Sequence, residues 1–230
     1  MSFVKIVIRK MRSGMMSYGP TSIKRLLWEQ EYSGDKWNFA YHSMSDCVYE
    51  HLEKHAAGGS ILDLGCGTGN TATELAMNAY CDYTGVDISD TCLGKAERRT
   101  QQNGRSAKNR FVRGDFLNYV PTQFYDVILF RESIYHVPPG RIKPMLNHYA
   151  HYLKAGGVFI VRMATLGQDG RRLPRPLMML NIIRSEFDVT EDCDYEAFKS
   201  TVIVFRPKNP ERPLSANLAE KTFGRAKGAA

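Results

Sequence analysis

The chain has 230 residues, of which 43% are hydrophobic, and a formal net charge of +7. This length suits one domain with a sizeable core, and the composition excludes an intrinsically disordered chain. No apolar run is long enough to cross a bilayer, and the charged N-terminus makes a poor signal peptide. The five cysteines contain no C-x-x-C pair, which disfavours a disulfide framework or a zinc site, and we therefore expect a cytoplasmic protein.

The start of the chain predicts an arm outside the main fold. Residues 3–8 have a β-like apolar pattern, and Ile23–Glu31 has the pattern of a short helix. The aromatic stretch Glu31–Phe39 is open to two interpretations, a surface loop or a lid over a ligand. Both chain ends are basic, and such arms more often increase solubility than bind nucleic acid. We predict three parts: an arm and candidate lid at 1–42, the main domain at 43–206, and a mobile basic tail at 207–230.

From residue 44 onward, helical and extended patterns alternate along the chain. Strands are predicted at 61–64, 81–87, 110–113, 125–130 and 158–161. Helices are predicted at 44–56, 70–79, 89–103, 139–155 and 177–187. This alternation predicts an α/β fold with a doubly wound, mostly parallel sheet. The last two extended segments, 188–195 and 201–206, have so short a connection that only antiparallel pairing is open to them.

The most informative stretch is SILDLGCGTGN, which spans residues 60–70. An apolar strand is followed by glycines at alternate positions and then by helical spacing, an arrangement that lets a bare backbone approach a ligand at a helix N-terminus. A dinucleotide site would need a glycine in place of Asn70. Asp63 would repel a pyrophosphate, but it suits a ligand that carries positive charge. A tight turn without a ligand is the other interpretation.

This stretch resembles motif I of the class I methyltransferases that depend on S-adenosyl-L-methionine. The resemblance extends over about residues 58–163, because Asp87 and Asp115 end the next two strands as acidic residues do in that family. It implies S-adenosylmethionine as cofactor and a seven-stranded sheet with an antiparallel C-terminal strand and helices on both faces. The implied motif I residues are Asp63, Gly65, Cys66, Gly67 and Gly69.

The resemblance also implies how the remaining cofactor-binding residues act. Asp87 would accept both hydroxyl groups of the ribose, and Asp115 would accept from the adenine amino group. Ile88 and Phe116 would flank the adenine, and the backbone of Arg131 would meet the methionine part.

Two candidate catalytic residues follow the fourth strand, in a segment that faces the cofactor in the implied fold. Glu132 and His136 lie four residues apart and would face the transferred methyl group together if this segment is a helical turn. The pKa of histidine suits a base that removes a proton from the acceptor. The alternative is a histidine that only packs or caps in the loop. No metal-binding motif is present, so we expect no catalytic metal.

The acceptor is the least defined part of the prediction. The chain resembles small stand-alone methyltransferases that act on sugars, amines or secondary metabolites, including the nodulation-type N-methyltransferases. We therefore expect methyl transfer to an oxygen or nitrogen atom of a small molecule. An RNA methyltransferase that uses the basic ends, and a non-catalytic cofactor-binding partner subunit, are the alternatives. Arg171, Arg172 and Arg175 would suit an anionic acceptor, or they are simply solvated; we expect no membrane partner, and nucleic acid is disfavoured.

Overall fold

The computed structural model describes residues 3–33 and 46–208. Within these residues the strands are β1 (Ser60–Leu64), β2 (Asp82–Asp87), β3 (Asn109–Arg113), β4 (Tyr125–Arg131), β5 (Leu153–Ala164), β6 (Phe187–Tyr195) and β7 (Ser200–Pro207). They form one sheet in the order β3-β2-β1-β4-β5-β7-β6. The first five strands pair in parallel, and β7 is antiparallel to both β5 and β6. The predicted fold class, including the reversed C-terminal strand, is confirmed.

Seven α-helices accompany this sheet in the described part of the chain. They are α1 (Phe3–Tyr18), α2 (Thr21–Ser33), α3 (Val48–Ala56), α4 (Asn70–Glu74), α5 (Asp90–Gln102), α6 (Pro139–Ala150) and α7 (Pro174–Glu186). The predicted cap of α5 is present, because Ser89 Oγ accepts a hydrogen bond from the backbone N–H of Cys92 at 3.2 Å. None of these helices is both long enough and apolar enough to pass through a lipid bilayer.

Apolar side chains fill both faces of the sheet. Along β4, Ile128 and Phe130 pack in the cluster that contains residues of α6 and α7. Val127 and Leu129 point the other way, into the cluster that contains residues of α3. Burial on both faces explains why this strand is a continuous apolar run rather than an alternating one. All five cysteines are free thiols.

The strand order reverses between β1 and β4. From β1 the chain proceeds outward through β2 and β3, and it then returns to the other side of β1 as β4. In open α/β sheets, ligands bind outside the carboxyl ends of the strands at such a switch point. The loops that follow β1, β2, β3 and β4 therefore define the candidate site.

The N-terminal segment is the main error of the sequence-based prediction. Residues 3–8 belong to helix α1 and not to a strand. The apolar positions continue through Met11 and Met15 at intervals of three and four residues, which is the helical period. A short apolar run alone does not distinguish a strand from one side of a helix, and in this case the longer window gives the correct answer.

Two predicted helix ends were also wrong. Helix α4 ends at Glu74 rather than near residue 79. Side chains from the loop before β3 and from β3 itself bind carbonyl groups at this end: Arg105 donates to Leu75 O at 2.6 Å, and Asn109 donates to Ala72 O at 3.0 Å. The helix that was predicted to reach the Gly156–Gly157 pair ends at Ala150. The glycines lie within β5, beside a register irregularity against β4.

Two predictions fall outside the described residues. Most of the aromatic stretch that was interpreted as a loop or a lid lies beyond Ser33. The tail beyond Lys208 is likewise outside them.

Candidate functional site

The glycine loop joins the end of β1 to α4, and its glycines are required by close neighbours and backbone conformation. Gly65 has φ +83°, and a Cβ placed on it would lie 2.5 Å from Ser133 Cβ. Gly67 has φ +54°, and a Cβ there would lie 3.3 Å from the hydroxyl of Tyr32. Any side chain at either position would therefore strain the backbone and narrow the space above the loop.

Asp63, at the end of β1, has one carboxylate oxygen with a partner and one without. Tyr83 donates a hydrogen bond to Oδ2 at 2.7 Å. Oδ1 is buried and has no hydrogen-bond partner among the described residues. Burial raises the pKa of this carboxyl group to about 6. A buried acceptor of this kind, in the wall of a cavity, suits a cationic or hydrogen-bond-donating ligand group.

Asp87, at the end of β2, connects the glycine loop to the start of α5. Its Oδ2 accepts from the backbone N–H of Gly67 at 2.9 Å, and its Oδ1 accepts from the N–H of Ser89 at 3.1 Å. Burial raises its pKa, although these two hydrogen bonds act in the opposite direction. Each carboxylate oxygen can accept more than one hydrogen bond, so Asp87 retains capacity for a ligand.

Asp115, which follows β3, is paired with the N-terminal arm. Lys24 of α2 forms a salt bridge with Asp115 Oδ2, and the side chains are only 9% and 7% exposed. Thr21 Oγ1 donates to the same oxygen at 3.0 Å. The sequence analysis did not identify Lys24, since 91 residues separate it from its partner and no local pattern marks it.

The site contains two adjoining cavities. A small cavity of about 70 Å³ is lined by residues that include Lys24, Asp87, Ile88, Asp115 and Phe116. A larger cavity of about 450 Å³ is lined by residues that include Asp63, Cys66, Gly67, Arg131, Tyr135 and Arg162. Five residues line both cavities: Trp28, Tyr32, Gly65, Glu132 and His136. Of the predicted site residues, all except Gly69 line one cavity or the other.

The segment after β4 brings the two candidate catalytic side chains to the junction of the cavities. Residues Ile134–His136 form a 3-10 turn. Glu132 precedes it with φ +55°, and its carboxylate forms a salt bridge with Arg162 of β5. A non-glycine residue in this left-handed region is uncommon, and such residues are frequent at functional sites.

His136 is enclosed by aromatic side chains. Its ring lies edge-on to Trp28 with the centroids 4.8 Å apart, and 4.6 Å from the ring centroid of Tyr135. Burial, with a smaller contribution from the charge of Arg175, lowers the pKa of His136 to about 4. The imidazole is therefore neutral near pH 7, with a nitrogen able to accept a proton.

A buried ionic network forms one wall of the larger cavity. Asp46 accepts hydrogen bonds from Arg131 Nη2 at 2.7 Å and from Arg162 Nε at 3.1 Å. Burial alone would raise the pKa of Asp46, but the two guanidinium groups outweigh it and the pKa is lowered. The side chain of Arg131 thus faces Asp46 and lies over the ring of Tyr49. Sequence reasoning missed Asp46 and Arg162, which are 116 residues apart.

Helix α2 covers the junction and is attached to α5 as well as to Asp115. Glu29 accepts from the backbone N–H groups of Asp90 at 2.6 Å and Thr91 at 3.2 Å. N–H groups at the start of a helix have no partner within the helix, so an acidic side chain is favourable there. Lys95 of α5 donates to the carbonyl oxygen of Tyr32 at 2.8 Å.

The three arginines near residue 173 do not act as one cluster. Arg171 and Arg172 form exposed pairs with Asp169 and Asp194. Arg175 points toward α1, where it donates to Ser17 Oγ at 3.2 Å.

The comparisons with known proteins agree on one kind of domain. Residues 61–157 match the family model described as a methyltransferase domain. A sterol 24-C-methyltransferase of Gibberella zeae is 29% identical over 140 residues, which are 57% of this chain and 36% of that protein. The chain thus spans about a third of the length of the sterol methyltransferases that it matches.

Solved structures show the same fold. The DhpI–SAH complex matches with a TM-score of 0.61 and 21% identity, covering 81% of this chain and 94% of that one. The N-methyltransferase NodS from Bradyrhizobium japonicum WM9, solved with S-adenosyl-L-homocysteine, matches with a TM-score of 0.60 and 16% identity, covering 80% of this chain and 98% of that one. At these identities the likeness establishes the fold.

Proposed function

We propose that this protein, whose residues 61–157 match the family model of a methyltransferase domain, transfers the methyl group of S-adenosylmethionine to an oxygen or nitrogen atom of a small molecule. The observation that carries the proposal is the junction of the two cavities. The strand ends that suit the cofactor line two adjoining cavities, and the candidate catalytic residues Glu132 and His136 line both of them.

The residues of this space fit the cofactor. The unpartnered Oδ1 of Asp63 would accept from the ammonium group of its methionine part. Asp87 would accept from the ribose hydroxyls, and Ile88 and Phe116 would flank the adenine in the small cavity. The bare backbone at Gly65 leaves room that a side chain would remove.

When bound, S-adenosylmethionine supplies a methyl group attached to a positively charged sulfur. The methyl group is transferred by in-line displacement, with the sulfur as the leaving group. The contribution of the protein is then mainly alignment of the acceptor and exclusion of water. Trp28 and Tyr32 cover the junction from α2, while Tyr135 and His136 border it from the loop after β4. An acceptor held between these two walls would present its nucleophilic atom to the methyl group.

His136 is the proposed base for an acceptor that must lose a proton. Its neutral imidazole would take the proton from a hydroxyl group as the methyl arrives, or from an ammonium group before its nitrogen attacks the methyl carbon. The lowered pKa makes it a weak base in the unliganded protein, so it acts best on a proton whose acidity rises as the new bond forms. Glu132 is the second proposed member of the pair, and its salt bridge with Arg162 would hold it in position.

The size of the larger cavity and the cover that α2 provides favour a small acceptor. Helix α2 lies over the junction, and its contacts with Asp115 and with the start of α5 hold it there. A larger cavity of about 450 Å³ is of the size that small-molecule sites occupy, roughly 300–1,000 Å³.

The same contacts support a lid function for the N-terminal arm. Lys24 occupies the carboxylate that the adenine amino group would need. We therefore expect α2 to open for cofactor exchange and Lys24 to release Asp115 when the cofactor binds.

The test is incubation of the full chain with a small-molecule extract, bulk RNA and S-adenosylmethionine that carries a deuterated methyl group. We expect the labelled methyl group in the small-molecule fraction, and mass spectrometry then identifies the acceptor atom. A label confined to RNA would contradict the proposed acceptor class. No label in any fraction, despite measurable cofactor binding, would favour a non-catalytic subunit.

A further inference from the structure

Helix α1 presents an apolar face that no described residue covers. Ile8, Met11, Met15 and Tyr18 follow one another at intervals of three and four residues, so they lie along one side of the helix. Their side chains are 60%, 67%, 40% and 65% exposed. We call these four residues the α1 apolar face. Such a row of large exposed side chains marks an interaction site more often than a neutral surface.

Other residues of α1 attach the helix to the protein. Arg12 donates to Glu31 at 2.9 Å and to the carbonyl oxygen of Leu27 at 3.2 Å, both on α2. Ser17 is buried and accepts from Arg175. These contacts fix the orientation of α1, so the apolar face is directed outward rather than toward α2.

Helix α2 extends the same apolar character. Its residues Ile23 and Leu26 are 36% and 56% exposed. Together with the α1 apolar face they make up six of the ten large hydrophobic side chains that are exposed in the described part of the chain. The exposure is therefore concentrated on the N-terminal helix pair.

The charge of α1 limits what this face can bind. The helix contains Lys5, Arg9, Lys10 and Arg12 and no acidic residue. A second copy of the chain, docked through the same face, would bring two basic helices together. The C-terminal residues 209–230 contain four basic and two acidic residues, so they are also poorly matched to a basic helix. RNA would satisfy the charges but not the apolar side chains.

We propose that the α1 apolar face lies on an anionic lipid surface. The apolar side chains would enter the boundary between headgroups and acyl chains, while the net positive charge of the helix favours an anionic surface over a neutral one. This would be contact with a surface by a helix that lies along it, whereas the sequence analysis predicts no membrane partner. Met16 of α1 lines the small cavity, so the lipid surface would lie close to the site.

The test is co-sedimentation of the full chain with two kinds of vesicle, one of phosphatidylcholine and one of equal parts phosphatidylcholine and phosphatidylserine. We expect binding to the anionic vesicles, weakened by salt, and little binding to the neutral ones. The double substitution Met11→Asp with Met15→Asp should weaken binding about tenfold or more, because it removes two apolar anchors and adds repulsive charge. The matched control is Met77→Asp, since Met77 is 49% exposed and lies outside the helix pair.

Three results would overturn the proposal. The first is no binding to anionic vesicles at low salt. The second is undiminished binding by the double variant, which would assign the attraction to basic residues elsewhere. The third is a wild-type dimer that the double variant converts to a monomer, which would make a second copy the occupant. Cofactor affinity, measured separately, should be unchanged in the double variant and would show that it is folded.

Discussion

The two halves of the site are constructed in different ways. On the cofactor side, Asp87 is bonded to backbone N–H groups close by in the chain, such as that of Gly67, 20 residues away. On the covering side, charged side chains of α2 contact residues far away in sequence: Lys24 pairs with Asp115 across 91 residues, and Arg25 with Asp90 across 65. Short-range backbone contacts give a rigid half. An ion pair between side chains that are distant in sequence can break while the backbone of each element stays intact, which suits a half that must open.

The largest effect that we expect is on the rigid half, from Gly65→Ala. The new Cβ would lie 2.5 Å from Ser133 Cβ at a residue with φ +83°, so the loop must move. Affinity for S-adenosylhomocysteine should fall by about a hundredfold, since a small misplacement of a binding loop has effects of that order. Calorimetric titration measures it.

The control for this change is Gly58→Ala. Gly58 has a nearly identical φ of +82°, but a Cβ there would meet nothing within 4 Å. The control should lose about 1 kcal/mol of stability, the usual strain at such a position, and keep its cofactor affinity. Equal cofactor affinities in the two variants would show that close contact above the loop is unimportant.

The next largest effect should be on catalysis, from His136→Ala. If His136 accepts the proton of the acceptor, kcat should fall about a hundredfold with little change in cofactor affinity. Because the pKa of His136 is lowered to about 4, the unliganded imidazole is neutral through the physiological pH range. Protonation of His136 should therefore reduce kcat/KM only when the pH falls toward 4.

The size of this effect depends on the acceptor. An amine acceptor that is already deprotonated at high pH would need no base. The reduction of kcat in His136→Ala should therefore become smaller for an amine acceptor as the pH rises, and it should change less for an alcohol acceptor. His148→Ala is a suitable control, since His148 lines neither of the two adjoining cavities. A kcat that the His136 substitution leaves unchanged across the pH range would leave alignment alone to explain the rate.

A smaller effect, in the covering half, should follow Lys24→Met. The substitution leaves Asp115 buried without its cation, which destabilises the closed position of α2. Association of S-adenosylhomocysteine should become about tenfold faster, since opening of a lid limits many such steps. Stopped-flow fluorescence can follow it through Trp28. Arg25→Gln, which removes a largely exposed pair with Asp90, should leave the rate unchanged; equal rates in both variants would argue against a lid held by Lys24.

The smallest expected effect is the pH dependence caused by Asp63. Its pKa in the unliganded protein is raised to about 6, so the carboxyl group takes up a proton as the pH falls through that value. A bound ammonium group favours the ionised form. Cofactor affinity should therefore weaken about threefold to tenfold from pH 7 to pH 5. Asp63→Asn should flatten this dependence, and an unaltered pH profile in the variant would remove Asp63 from ammonium binding.

The cofactor side of the site could be predicted from the sequence, and the contacts that depend on distant residues could not. Asp63 and Asp87 lie at the carboxyl ends of β1 and β2, and Asp115 comes two residues after β3. A local pattern marked these positions, and the parallel strands placed them at one edge. Lys24 and Asp46 have no such local signal, because their partners are brought near only by the completed fold. The β-like interpretation of residues 3–8 was wrong for a different reason: a short apolar run has no clear period, and the helical spacing is visible only when Met11 and Met15 are included.

The most direct test of the central claim is calorimetric titration of the wild-type chain and of Asp87→Ala with S-adenosylhomocysteine and with NAD. We expect saturable binding of S-adenosylhomocysteine by the wild-type chain and no comparable binding of NAD. Asp87→Ala should weaken the binding of S-adenosylhomocysteine by about 1.5–3 kcal/mol, because the ribose hydroxyls lose a buried acceptor. Preferential binding of NAD, or equal affinity of the two proteins for S-adenosylhomocysteine, would contradict the central claim.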